Sequence, residues 1–266
     1  MDAVAPTAMN TLHIDTLTLR AGDRILVDGL RATIAAGEVW CIAGPNGAGK
    51  TTLIGVLAGL AKPAAGVVSL DGRALAQWRA ADLARRRALM PQSTHDAFSA
   101  TVLDTVLLNR FPYLTGWGWE SDDDRAAAHA ALDALGLAAF ASRDVLTLSG
   151  GERQRVALAA VLCQNAPLLL LDEPLAHLDL HHQIDCLNAL VKAARDERRA
   201  VVLSCHDLNL ARRFATHALL LDGQGGAQGG LVADVLTAER ASAAFGYPLA
   251  LIRDGGHEAL VPRFPS

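Results

Sequence analysis

The chain has 266 residues, 51% hydrophobic and 20% charged, enough to bury a substantial core as one large domain or as a core with a subdomain. Its 24 basic and 28 acidic residues leave a net charge of −4, which excludes an electrostatic footprint for nucleic acid, and 5% aromatic content argues against a base-stacking surface. The cysteines Cys41, Cys163, Cys186 and Cys205 lie far apart in apolar neighbourhoods without a CxxC pair, the pattern of reduced, buried thiols in a cytosolic protein.

In chain order, MDAVAPTAMN (1–10) has no basic region followed by an apolar stretch, so no secretory leader is expected. Residues 11–36 read as short antiparallel strands, because "LHIDTLTL" alternates and "AGDR" signals a turn. From residue 38 the style changes to continuous apolar runs that end in a polar or small residue: "VWCIAG", "PLLLLDE", "AVVLSCHD" and "HALLLD". Such runs suit parallel strands buried on both faces, with function at their carboxyl ends, and helical stretches separate them as an α/β layering requires. None approaches the roughly 18 apolar residues that span a bilayer. The predicted fold is α/β: a parallel-sheet core with an N-terminal antiparallel β subdomain (1–94 and 166–230) and an inserted α-helical subdomain (95–165). The glycine-rich "DGQGGAQGG" (222–230) reads as a flexible turn, and 231–266 as a short C-terminal tail. Within the insert, "DDDRAAAHAALDALGLAAF" places three aspartates at a helix start, where they complement the helix dipole as a solvated end.

Gly44, Pro45, Asn46, Gly47, Ala48, Gly49, Lys50 and Thr51, followed by Thr52, fit G-x-x-x-x-G-K-[ST] between a strand and a helix. The glycines let successive backbone N–H groups turn inward around a phosphate, and the helix N-terminus adds its positive end. Lys50 is placed to reach the β- and γ-phosphates, and Thr51 to coordinate Mg²⁺. "LLLLDEP" ends a buried strand on Asp172, a candidate for the Mg²⁺ shell, and Glu173, a candidate general base. "LSGGERQRV" sets Ser149, Gly150 and Gly151 before a helix whose apolar positions are Val156, Ala159, Ala160 and Cys163. A serine and two glycines at a helix start make a second anion site, surplus to one chain unless it serves a nucleotide on another.

These motifs resemble the ATP-binding subunits of ABC transporters in order and spacing: 44–51, Gln92 in "MPQ", "LSGGE", 168–173, "LAHLD" and His206. The resemblance spans roughly residues 11–250. It implies a head-to-tail pair of copies sandwiching two ATP molecules, with Ser149, Gly150, Gly151, Glu152 and Asp179 serving the partner's nucleotide. It also implies that Gln92 links Mg²⁺ or the attacking water to the helical subdomain, and that His206 orients Glu173. The family carries an adenine-stacking aromatic near the position of Ala21, yet no Phe, Tyr or Trp precedes Trp40. "RRRALMPQ", "VLLNRFPYL", "HDLNLARRFA" and "VLTAERASAAFGYPL" resemble the ATPases of metal-chelate importers for iron–siderophores, haem and cobalamin, and "LIRDGGHEALVPRF" leans towards cobalamin. The implied partners are polytopic permease subunits and, indirectly, a periplasmic substrate-binding protein, with the chain peripheral on the cytoplasmic face of the inner membrane. A soluble ABC-type ATPase is the alternative, although a DNA-repair member would carry long coiled-coil insertions and a ribosome-associated one two cassettes. A P-loop kinase would lack "LSGGE". His177, His181 and His182 in "HLDLHHQ" have helical spacing for a metal, but no further ligand stands obviously ready, and they read as surface or interface residues.

Overall fold

The computed structural model describes residues 11–92, 98–114 and 120–263, so the stretch read for a leader (1–10) lies outside the described residues. Strand β1 (Leu12–Ala21) turns through Gly22 into β2 (Arg24–Ile34), with Ala21 opposite Arg24. The alternation of β1 breaks at Thr16, a non-glycine residue at φ 48°, where the register shifts as in a bulge. Strand β3 (Val39–Ala43), buried at every position, feeds the 44–49 loop into helix α1 (Lys50–Leu57). Strands β4 (Ala65–Leu70) and β5 (Arg73–Ala74) complete a four-stranded antiparallel sheet in the order β2-β1-β4-β5.

Helix α2 (Ala80–Ala84) leads into β6 (Arg87–Met90), a strand the apolar runs do not announce. Helices α3 (Val102–Leu107), α4 (Asp122–Ala134) and α5 (Gly150–Gln164) follow, with no strand among the described residues between them. Next come β7 (Leu168–Leu171), α6 (Leu180–Arg195), β8 (Ala200–Ser204), α7 (Leu208–Phe214) and β9 (His217–Leu221). Strands β3, β6, β7, β8 and β9 run parallel, and β10 (Ala227–Leu231) closes one edge antiparallel, giving the order β10-β9-β3-β8-β7-β6. This sheet is sandwiched. Its Trp40, Ile42, Leu168 and Leu170 face α1 and the antiparallel sheet, while Cys41, Ala43, Leu169 and Leu171 face α5, α6 and α7. Burial on both faces is why these strands read as unbroken apolar runs.

Three sequence readings change. The stretch 222–230, read as a flexible turn, carries β10 from Ala227 onward, paired along β9. The stretch read as a short tail holds α8 (Val232–Val235), α9 (Ala238–Phe245) and the hairpin β11 (Leu249–Asp254) with β12 (His257–Pro262). Asn209 on α7 ties the hairpin down, accepting from the Leu260 amide at 2.7 Å and donating to its carbonyl at 3.3 Å. The acidic start of α4 is not simply a solvated end. Ser121 and Asp124 form a reciprocal capping box, and buried Asp124 accepts from Arg110 Nε at 2.6 Å. Arg110 also donates to the carbonyls of Cys163 and Gln164, so one guanidinium joins the start of α4 to the end of α5.

Candidate functional site

Backbone geometry builds the 44–49 loop. Gly44, Gly47 and Gly49 all have positive φ (151°, 74° and 101°), and a side chain on Gly44 would collide with the Leu221 carbonyl of β9. Only glycine satisfies both demands there. Gly49 is the residue before α1, so the helix points its unpaired N–H groups into the loop. Lys50 is buried at the first position of that helix, and its ammonium donates to the Gly44 and Pro45 carbonyls at 2.8 and 3.0 Å. Burial lowers the Lys50 pKa, and the nearby carboxylates Glu173 and Asp172 oppose that shift.

A cavity of about 770 Å³ opens over this loop, lined by Asn46, Gly47, Gly49, Lys50, Thr51 and Thr52 together with Gln92, Glu173 and His206. Residues far apart in sequence meet here because β3, β6, β7 and β8 are parallel and deliver their carboxyl ends to one side. Glu173 follows β7 in a strained left-handed conformation, φ 51°. His206 Nε2 lies 2.9 Å from Glu173 Oε1. Burial pushes the Glu173 pKa up, but the His206 contact, a hydrogen bond with Gln92 and the Lys50 charge outweigh it and hold the carboxyl below its ordinary range. A carboxylate beside a cradle for anions offers an oxygen to which a water could give a hydrogen bond or a proton.

One residue that sequence reasoning missed ties the carboxylates together. Ser204, buried at the end of β8, donates to Asp172 Oδ1 at 2.7 Å and accepts from the Glu173 amide at 2.7 Å. The only sequence signal was its place as the polar end of the run "AVVLS", two residues before His206. Gln154 on α5 donates to the Glu173 carbonyl at 2.9 Å, linking the helical insert to the same backbone. Arg24 and Leu26 also line the cavity, beside the expected Ala21.

The remaining candidate residues are not brought to this cavity. Ser149 caps α5, exchanging hydrogen bonds with Glu152 in a second capping box (2.7 and 3.2 Å), and Gly150 opens the helix. A Cβ on Gly151 would stand 3.2 Å from the His177 carbonyl, so the start of α5 packs directly on the segment after β7. Asp179 caps α6, accepting from the His182 amide at 2.9 Å and lying 2.9 Å from the ring Nδ1. His181 faces Asp185 at 3.5 Å, and among the described residues no group of three or more His, Cys, Asp or Glu is placed to hold a metal.

The ABC transporter family profile matches residues 27–176. The chain is 39% identical over 247 residues to the hemin import ATP-binding protein HmuV of Rhodococcus jostii, covering 93% of this chain and 84% of that one. It is 38% identical over 213 residues to the iron(3+)-hydroxamate import ATP-binding protein FhuC of Bacillus subtilis, 80% and 79% of the two chains. To the cobalamin import ATP-binding protein BtuD of Halobacterium salinarum it is 42% identical over 236 residues, 88% of this chain and 58% of that longer one. The names divide among hemin, siderophore and cobalamin at near-equal identity and do not favour cobalamin, contrary to the expectation from "LIRDGGHEALVPRF". Among solved structures, a metal-chelate type ABC transporter in an inward-facing conformation superposes with a TM-score of 0.82 at 28% identity, covering 96% and 98% of the chains. A dimeric bacterial ABC transporter cassette superposes with a TM-score of 0.72 at 27% identity, covering 83% and 98%. With this fold and these relatives, the chain belongs to the ABC transporter family and is an ATPase of that family.

Proposed function

We propose that this chain hydrolyses ATP to power import of a metal chelate (an iron–siderophore, haem or cobalamin) through separate membrane subunits, as a peripheral protein on the cytoplasmic face of the inner membrane. The observation that carries this reading is Lys50, Glu173 and His206 around one cavity, with the buried Ser204–Asp172 pair bonded to the Glu173 backbone behind it. The import role is supported by relatives named for hemin, siderophore and cobalamin uptake. The 44–52 loop would bind the phosphates, Glu173 would take a proton from the attacking water, and His206 would hold the Glu173 carboxylate in position. Thr51, Gln92 and Asp172 offer oxygen donors, the set that a hard cation such as Mg²⁺ takes, and the ion would neutralise charge on the β- and γ-phosphates.

Two surfaces fit the proposed partners. The capped start of α5 at Ser149–Gly151, with Asp179, lies off the chain's own cavity and suits the nucleotide of a second copy in a head-to-tail pair. No helix among the described residues is long and apolar enough to cross a membrane. The proposed membrane partners are permease subunits, in keeping with the import proteins this chain is similar to, with a periplasmic binding protein acting through them. Leu108, more than 70% exposed, lines a groove with Met90, Pro91, Leu148 and Val156, an apolar face fit for such a subunit. The test is ATPase activity of the chain reconstituted with its permease, challenged in turn with cobalamin, haem and ferric siderophores. Stimulation by one chelate class identifies the cargo. Full activity that ignores every cargo and every membrane subunit would favour the soluble ATPase alternative.

A further inference from the structure

We propose that Arg24 binds the nucleotide base, presenting the flat face of its guanidinium where an aromatic ring would otherwise stack. The inference rests on the ATP reading of the cavity and goes beyond it to name how the base is held.

The cavity does not end at the phosphate loop. It continues to the β1–β2 turn, where Ala21, Arg24 and Leu26 line it, and no Phe, Tyr or Trp is among its described lining residues. Leu26 sits against the loop, because a Cβ on Gly49 would stand 3.1 Å from the Leu26 side chain. Glu173, His206 and Gln92 mark the end where a γ-phosphate is cleaved. A nucleotide so placed directs its ribose and base to the hairpin, whose lining comprises one methyl, one isobutyl group and one guanidinium.

Arg24 is held in place. Its Nη2 donates to the Gly223 carbonyl, and the hairpin is further tied to that connection by Asp28 N–H donating to the Gly225 carbonyl at 2.8 Å. Gly223 has φ +74°, and a Cβ there would meet Ala48 and the Arg24 guanidinium, each at 3.4 Å. The guanidinium is therefore seated between the phosphate loop and the β9–β10 connection. A hydrogen bond to Gly223 uses an edge of the planar group, and a guanidinium face attracts a π-system as an aromatic ring does. Because every base has a π-face, this contact adds affinity without selecting adenine.

The experiment uses the full chain with Mg²⁺ and a fluorescent ATP analogue, displaced by ATP, by GTP and by inorganic tripolyphosphate. Loss of a base-stacking contact weakens binding by roughly fivefold to a hundredfold. Arg24→Ala and Arg24→Lys should both weaken ATP and GTP to that extent and leave tripolyphosphate unchanged. Arg24→Lys keeps the charge and a donor for Gly223 but lacks the plane, so it separates stacking from charge and from anchoring of the hairpin. Ala21→Tyr in the Arg24→Ala background should restore ATP affinity. Equal weakening of ATP and tripolyphosphate would make Arg24 a phosphate contact and overturn the proposal, as would unchanged ATP affinity in both variants. Failure of the underlying site reads differently: Lys50→Ala would then leave ATP and tripolyphosphate binding intact.

Discussion

Ser204→Ala tests whether the hydroxyl at the end of β8 holds the two carboxylate residues as a unit. The hydroxyl is buried, donates to Asp172 Oδ1 at 2.7 Å and accepts from the Glu173 amide at 2.7 Å, so alanine removes both bonds. A hydrogen bond to a charged group contributes about 1.5–3 kcal/mol, and a buried N–H left without an acceptor costs about 1–3 kcal/mol. The two losses overlap where the backbone relaxes, giving a destabilisation of about 2–4 kcal/mol. For a chain of this size each kcal/mol moves the thermal midpoint by about 2–4 °C, so unfolding should shift down by roughly 4–16 °C. Turnover should fall as well. Glu173 sits at φ 51°, a conformation that persists only while its surroundings impose it, and Ser204 is one of the groups imposing it. Because the phosphate cradle is built from other residues, KM for ATP should stay near that of the wild type. The assay is calorimetric unfolding of the nucleotide-free chain, paired with kcat and KM for ATP. A midpoint within about 1 °C of wild type together with unchanged kcat would refute the reasoning, since 1 °C is well below the expected shift.

Glu173→Gln should keep ATP affinity, lower turnover by roughly 10² or more, and accumulate an ATP-bound pair of chains visible by size-exclusion chromatography; wild-type turnover would overturn the assignment of the base. A mixture of Lys50→Ala and Ser149→Arg chains should partly recover ATPase activity once mixed pairs are shown to form, because both lesions fall in one composite site and the other stays intact. Where one intact site can turn over, no recovery in such pairs would point to a site complete within one chain. The Asp124 carboxyl is held down to about 2 by the Ser121 amide, by Arg110 and by the Ser121 hydroxyl, against 3.8 ordinarily. A depressed folded-state pKa stabilises fully above the unfolded value and loses that contribution as pH falls, so wild type should lose stability between pH 3.8 and about 2. Asp124→Asn should be less stable at pH 7 and flatter across the acid window in thermal midpoint against pH; an unchanged acid slope would mean that Asp124 does not carry it.

How much of this was legible beforehand follows from what each feature depends on. The phosphate loop could be read directly, since its requirement is local: positive φ at Gly44, Gly47 and Gly49, and a lysine at the first turn of the following helix. Strands β3, β7, β8 and β9 were legible because burial on both faces leaves unbroken apolar runs. Strand β6 was not, because its four residues, Arg-Ala-Leu-Met, include a charge and two half-buried positions at the sheet edge. Asp124 was read as a solvated helix start, for its partner Arg110 lies 14 residues away on another element and leaves no periodic trace.

The sequence by itself determined the chemistry that backbone conformation and short spacing specify, namely the glycine loop, the two carboxylates after β7 and the serine-capped start of α5. Only the tertiary structure decided which of these share a cavity. Parallel pairing brings His206 to 2.9 Å from Glu173, 33 residues away, and sets Ser204 between Asp172 and the Glu173 amide. The same pairing leaves Ser149 and Asp179 outside, and the bond to Gly223, 199 residues distant, places Arg24 at the far end of the cavity. Spacing along a chain fixes neighbours within a turn or a helix, whereas neighbours across a sheet are fixed by strand order and register, which arise from burial summed over the whole core.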